Sequence, residues 1–205
     1  MCIRDRSSIE RTLRDSGLTS VAGVDEAGRG PCAGPLVVAA VILKDPFSQA
    51  LAKVQDSKKI SEKVREELFD VIIDCAVAHS IIEISVDEID AFGLHKSNIE
   101  GMRRAVADLN PQPHYVLTDG YAIPGLAIPN LAVWKGDQVA VSISAASILA
   151  KVYRDRIMIE LDSEFPEYGF GGHKGYSSAS HMEALRTHGV TKHHRKSFAN
   201  VAELL

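Results

Sequence analysis

The chain has 205 residues, 45% hydrophobic and 24% charged, with a formal net charge of −4, which are ordinary values for a folded domain and exclude intrinsic disorder. No apolar run approaches the roughly 20 residues needed to span a bilayer, and the N-terminus lacks the charged-then-apolar layout of a secretory signal. Three cysteines (Cys2, Cys32, Cys75) without a CxxC argue against a disulfide framework or a thiolate zinc site, so a reducing cytoplasm is the default compartment, and the acidic balance gives no global nucleic-acid signature.

Residues 1–6 (MCIRDR) fit no element and are expected to be a non-native remnant. The first apolar run, from Val21, ends in Asp25 and Glu26 and is followed at once by Gly28-Arg29-Gly30. It reads as a buried strand. Two acids beside a core are costly unless compensated, and a divalent cation is the natural compensation. Gly28 and Gly30 allow close backbone approach to a ligand, and Arg29 supplies a cation suited to phosphate. Side chains of consecutive strand residues point to opposite faces. The glycine turn is therefore expected to twist the chain at Glu26, so that both acids face one cleft.

Leu36 to Leu43 (LVVAAVIL) reads as a strand buried on both faces, antiparallel to the first because the link is short. Ser61 is placed to cap a helix with Val64, Leu68, Val71, Ile72 and Cys75 on one stripe. Ile81 to Val86 reads as a third strand. A second helical stripe, Ile99, Met102, Val106 and Leu109, stops at Asn110-Pro111. Tyr115 to Leu117 is a brief strand running into Thr118-Asp119-Gly120. Ala132 to Trp134 is a fifth strand, running into Lys135-Gly136-Asp137. A long helix then carries Leu149, Tyr153, Ile157 and Leu161 at four-residue steps, and a glycine-rich segment from Gly169 to Gly175 leads to a last helix near Ser180 to His188. The elements describe a mixed α/β sheet with a helical C-terminal addition.

Asp119 repeats the opening pattern of apolar strand, acid and glycine, and Asp137 sits in a similar context. A plain turn is the default reading of any single Asp-Gly. Four acids at neighbouring strand ends, however, can hold two Mg²⁺ or Mn²⁺ ions about 4 Å apart, the clamp for phosphoryl displacement. From His173 to Lys196 the only acid is Glu183, against Lys174, Arg186, Lys192, Arg195, Lys196 and five of the eight histidines. This is either a local basic surface or a solvated helix and tail. His193-His194 has the wrong spacing for a helical zinc pair. Ser144 and Ser147, early in an apolar helix, fit packing and backbone bonding better than nucleophilic chemistry. Trp134 reads as core.

Taken together, Val24-Asp25-Glu26-Ala27-Gly28-Arg29-Gly30-Pro31, Asp56-Ser57-Lys58-Lys59, Thr118-Asp119-Gly120, Lys135-Gly136-Asp137, the run Ile143 to Val152 with Arg154-Asp155, and His173-Lys174-Gly175-Tyr176 form an ordered set. This set resembles ribonuclease HII over nearly everything from Val21 to about Phe198. The resemblance implies an α/β RNase H-like fold, a mixed five-stranded sheet flanked by helices, with a C-terminal helical extension. It divides the chain into an N-terminal segment (1–19), a catalytic domain (20–165) and an extension completing the substrate cleft (166–205). It implies a metal-dependent endonuclease for the RNA strand of RNA/DNA hybrids and for single ribonucleotides in duplex DNA. Such an enzyme cuts 5′ of the ribonucleotide, leaving 3′-hydroxyl and 5′-phosphate ends, and serves replication and repair as a cytoplasmic monomer.

Carried over by residue, Asp25, Glu26, Asp119 and Asp137 are the metal ligands and catalytic acids for two Mn²⁺ or Mg²⁺ ions. Gly28, Arg29 and Gly30 resemble the segment that reads the 2′-hydroxyl. Tyr176 is expected against the next deoxyribose, although on its residues alone it fits an amphipathic packing role. Lys58, Lys59 and Lys174 are expected phosphate contacts. Ser177-Ser178 and Gly189-Val190-Thr191-Lys192 depart from the family's commoner residues and bear on local geometry only. A metal-free nucleic-acid-binding module could lose an acid, yet all four are present. Ribonuclease HIII matches less well at Gly-Arg-Gly and carries an added N-terminal domain, for which the roughly twenty residues before Val21 are too few.

Overall fold

The computed structural model describes residues 8–55, 57 and 60–205; the expectations for residues 1–6, Lys58 and Lys59 fall outside them. Five strands form one sheet: β1 (Val21–Ala27), β2 (Leu36–Leu43), β3 (Ala76–Ile84), β4 (Tyr115–Asp119) and β5 (Asn130–Val133), in the order β3-β2-β1-β4-β5. β1 pairs antiparallel with β2, and β2 with β3, whereas β1–β4 and β4–β5 are parallel. The carboxyl ends of β1, β4 and β5 therefore lie on one edge, where open α/β sheets bind ligands.

β2 is wholly buried because both of its faces are covered. Val37, Ala39, Val41 and Leu43 pack with Leu68 and Ile72 of α2 (Glu62–Cys75) and with Leu149 of α5 (Val141–Glu164). Val38, Ala40 and Ile42 pack with Met102, Ala105 and Val106 of α4 (Leu94–Ala107). Ser61 caps α2 by accepting from the Val64 amide, as its position predicts.

Four elements differ from the sequence reading. β5 spans Asn130–Val133 rather than Ala132 to Trp134. β3 starts at Ala76 rather than Ile81, because pairing with β2 continues back to Leu43 while one strand face, including Val77 and His79, is exposed. Val86 is not strand but the first residue of α3 (Val86–Phe92), behind a capping box between Ser85 and Glu88. An N-terminal helix, α1 (Ser8–Asp15), has no counterpart in that reading; it fully buries only Glu10, while Ile9 and Leu13, four residues apart, pack partly buried against Leu117, Ala140 and Ile143.

Glu10 explains both α1 and the start of α5. The residue preceding α5, Ala140, offers no side-chain cap, and Glu10 Oε1 instead accepts from the Ser142 amide (3.0 Å) and hydroxyl (2.9 Å). A carboxylate from another helix thus takes the place of a cap at the positive end of the dipole. The same turn of α5 crosses β1 at Gly23, where an added Cβ would sit 2.1 Å from the Ser142 carbonyl carbon. Only glycine allows that approach.

The C-terminal addition comprises α6 (Phe170–His173), α7 (Ala179–His188) and α8 (Ala199–Ala202). Tyr168, Phe170 and Leu185 pack on Met158 and Leu161 of α5 and on Ala33 of the β1–β2 link, which places this region over the strand ends. Among the described residues, no helix is long and apolar enough to cross a membrane.

Candidate active site

Asp25 and Glu26 end β1, which stays paired with β2 through Ala27. The expected twist at Glu26 does not occur. Asp25 lies on the α5 side, where it is held by Ser147, and Glu26 lies on the α4 side, beside Asn98. They reach one cleft because β1–β4 pairing stops at Val24–Thr118, which opens the sheet immediately beyond. A cavity of about 270 Å³ there is lined by Asp25, Glu26, Gly28, Arg29, Gly30, Asp119, Lys151 and Tyr176. A second, of about 430 Å³, shares Glu26, Arg29 and Asp119 and adds Tyr121, Trp134 and Asp137. The four sequence-predicted acids thus border these two adjoining cavities, Asp25 the first, Asp137 the second, and Glu26 and Asp119 both.

Their environment disfavours accumulated negative charge. Burial, then Glu26, then Asp119 push the Asp25 carboxyl well above its ordinary range. Burial also raises Glu26, against the pull of Arg29 and with a further push from Asp119. Each of these acids has a protein contact: Asp25 Oδ1 accepts the Glu26 amide at 2.7 Å, Glu26 Oε1 is 3.4 Å from Arg29 Nη1, and Asp119 Oδ1 accepts the Gly136 amide at 2.7 Å. The Ser144 hydroxyl donates to the Asp137 carbonyl (2.7 Å) and fastens that turn to α5, the backbone bonding expected of it. Among the described residues no three histidine, cysteine or acidic side chains stand in a ready metal-holding arrangement. The donor set nonetheless fits a divalent ion. Glu26 Oε2 is buried without a hydrogen-bond partner, and a cation would relieve both the desolvation and the repulsion.

Two buried arginines, to which the sequence reading gave no role, hold the glycine turn. Arg154 donates to the carbonyls of Pro35, Lys174 and Ala33, each at 2.9 Å; burial lowers its pKa to about 10. Arg195 donates to the Gly34 and Arg29 carbonyls. The legible signal was a charged residue on the buried face of an apolar helix. Gly28 has φ +100° and abuts the Arg154 guanidinium, and a Cβ on Gly30 would lie 3.2 Å from the Tyr176 ring. The Gly-Arg-Gly backbone and Tyr176 therefore share one wall. Tyr176 is half exposed into the cleft rather than packed in the core.

Lys174 adopts φ 52°, and its ammonium stands 3.5 Å from Glu62 at the start of α2 rather than in the cleft. Lys151, quoted only as part of a motif, borders the cavity and bonds Asp155 at 2.6 Å. Trp134, expected in the core, is 81% exposed. β5 is the sheet's edge and ends at Val133, so the ring projects beside the acids.

The histidine cluster orders the Tyr176 loop. The Thr191 amide donates to His194 Nδ1 (3.1 Å), so the His194 proton sits on Nε2 and faces His181 Nε2 at 3.1 Å. His181 must then carry its proton on Nδ1, which donates to the Tyr176 carbonyl at 2.9 Å. Both rings have to be neutral. Burial first, and then His181 and His193, hold His194 down at about 4, and burial lowers His181. Between pH 6.5 and about 4 the unfolded chain binds a proton that folded His194 refuses. Stability from this pair is complete above pH 6.5 and is lost on acidification, by up to about 3 kcal/mol. Melting curves should show a steeper acid decline for the wild type than for His194→Gln, whose amide keeps the donor without titrating; parallel declines would contradict this tautomer chain.

The family model described as ribonuclease HII matches residues 22–201. The ribonuclease HII of Corynebacterium jeikeium is 56% identical over 195 residues, covering 95% of this chain and 94% of that protein. Among solved structures, ribonuclease H2 from Pyrococcus horikoshii OT3 superposes with a TM-score of 0.79 at 28% identity, over 90% of this chain and 96% of that one. Bst-RNase HIII in complex with Mn²⁺ superposes at 0.71 with 20% identity, over 90% of this chain and 68% of that one, a likeness of fold.

Proposed function

The chain belongs to the ribonuclease HII family, and from that premise we propose which of its residues carry the chemistry. It is an endonuclease that cleaves the RNA of RNA/DNA hybrids and excises ribonucleotides embedded in DNA, and enzymes of this family use divalent metal ions. Asp25, Glu26, Asp119 and Asp137 hold two such ions, Mg²⁺ or Mn²⁺, and are the catalytic acids. The observation that carries this reading is the gathering of four acids around two cavities that share Glu26 and Asp119, two of the acids with raised pKa and one with a buried, unpartnered oxygen. Bound ions supply activation of the attacking water and neutralisation of charge on the leaving 3′-oxygen. Water oxygen bonds to phosphorus, the bond from phosphorus to O3′ breaks, and the products are a 3′-hydroxyl and a 5′-phosphate.

The protein's own part is to position the strand and to select it. Gly28, Arg29 and Gly30 read the 2′-hydroxyl, which alone separates RNA from DNA here. Tyr176 packs the deoxyribose that follows. Lys58 and Lys59 contact phosphates, as does Lys174 once it leaves Glu62. Residues 166–205 complete the cleft over the catalytic part, 20–165, and the enzyme acts as a cytoplasmic monomer.

Tyr176→Ala removes junction packing without touching an acid. Replacing an aromatic ring that packs on nucleic acid by alanine costs about 1–3 kcal/mol, and each 1.36 kcal/mol is tenfold in rate. Cleavage at a single ribonucleotide should slow roughly tenfold, and cleavage within long hybrids, where the next sugar is ribose, should change by a different factor. Equal losses on both would assign Tyr176 a structural role. The reading as a whole is tested with a duplex containing one ribonucleotide: a cut 5′ of it giving 3′-hydroxyl and 5′-phosphate ends is expected, and cutting of all-DNA duplex would overturn it.

A further inference from the structure

The two cavities that share Glu26, Arg29 and Asp119 carry one exposed aromatic side chain each, Tyr176 in the first and Trp134 in the second. Trp134 is 81% exposed, more than any other large apolar side chain among the described residues. Its surroundings are ordered. It follows the last residue of β5 and precedes Lys135, whose left-handed backbone opens the turn that carries Asp137. Asp137 is in turn fastened to α5 through Ser144. Beside it in the same cavity, the Tyr121 ring lies under the Arg29 guanidinium at 4.5 Å and meets His95 edge-on at 5.2 Å. An indole exposed to water on the rim of an acid-lined cleft forgoes a large apolar burial, and such rings are enriched where one face meets a partner.

We propose that Trp134 is a nucleotide platform for the cleaved strand on the 5′ side of the scissile phosphate. This rests on the proposed function, in which Tyr176 meets the deoxynucleotide 3′ of the ribonucleotide and the acids meet the phosphate 5′ of it. A strand crossing from the first cavity over Glu26 and Asp119 into the second runs 3′ to 5′. It presents its upstream nucleoside to the indole, while Arg29, shared by both cavities, stays beside its phosphates. Stacking of a π-face on a base or sugar suits this position because it tolerates any sequence, as an enzyme that selects for a 2′-hydroxyl requires.

The chain has one tryptophan and five tyrosines, so emission excited at wavelengths beyond tyrosine absorption reports this residue alone. The experiment titrates Asp119→Asn protein with Mg²⁺ and three duplexes carrying one ribonucleotide: full length, truncated 5′ of the scissile phosphate, and truncated 3′ of the junction. Binding is followed separately by anisotropy of a dye on the DNA. The full-length and 3′-truncated duplexes should change the emission strongly, and the 5′-truncated duplex should bind with little change. Trp134→Ala should weaken binding of the full-length duplex roughly tenfold and of the 5′-truncated duplex by less than about twofold, and Trp134→Phe should recover most of the loss. Emission unchanged at saturation, or unchanged by removal of the 5′ segment, would overturn the proposal while leaving the catalytic assignment intact. Absence of binding by anisotropy would overturn the substrate reading and this inference together.

Discussion

Asp119→Asn should lower cleavage by about a thousandfold or more while leaving the fold intact. Asparagine keeps an oxygen to accept the Gly136 amide, the contact Asp119 Oδ1 makes at 2.7 Å, and it changes the volume little. What it removes is charge. Ions in such sites supply several kcal/mol of transition-state stabilisation, and about 4 kcal/mol corresponds to three orders of magnitude. The same substitution should raise the melting temperature of metal-free protein slightly, because Asp119 is among the groups that push Asp25 and Glu26 upward. Near-normal cleavage at saturating metal would remove Asp119 from the site. Lost cleavage with a much lower melting temperature would give it a structural role instead.

Gly23→Ala should be the most damaging single methyl group in the protein. The new Cβ would lie 2.1–2.4 Å from Ser142 and Ile143 backbone atoms, in a turn of α5 fixed by Glu10. No side chain can swing away to make room. Overpacking costs about 1–3 kcal/mol where neighbours adjust and more where they cannot, so about 3 kcal/mol or more is expected, a fall of roughly 6–12 °C for a chain of this size. Displacing α5 also disturbs Ser144 under Asp137 and Ser147 against Asp25, so activity should fall with stability. Gly172→Ala, with nothing within 4 Å of the added Cβ, is the control and should melt close to wild type. Similar melting temperatures for the two variants would contradict the close crossing of β1 and α5.

These two residues show what the sequence could and could not reveal. Strand ends carrying Asp25, Glu26 and Asp119 were legible because apolar runs stop abruptly at charge. β2 was legible to the residue because burial on both faces leaves no polar position, and α2 because Ser61 and a stripe mark its start and face. The apolar run of β3 begins five residues after the strand does, since the solvated face of an edge strand admits His79, and Ser80 on the buried face donates to Asp108. α1 is one short helix whose apolar stripe is only Ile9 and Leu13, too little to mark it in the sequence, and its buried carboxylate lies 132 positions from its partner. The tautomer chain from Thr191 to Tyr176 is equally non-local, and spacing alone could only argue against zinc. Trp134 defied its expected burial for a general reason: a large aromatic defaults to the core unless something says that its strand is at the edge and has ended. For Lys174 the difference lies in partner choice, because a lysine beside a cleft can turn to a nearer carboxylate, here Glu62.

The assignment of Asp25, Glu26, Asp119 and Asp137 as the ligands of two ions is tested most directly by counting bound Mn²⁺. Electron paramagnetic resonance of free Mn²⁺ during titration gives the stoichiometry without any cleavage assay. The wild-type protein should take up two ions per chain in the presence of a duplex it cannot cut, and Asp119→Asn should take up fewer, with weaker affinity for those that remain. Two ions bound with equal affinity by wild type and by Asp119→Asn, or none by either, would contradict it.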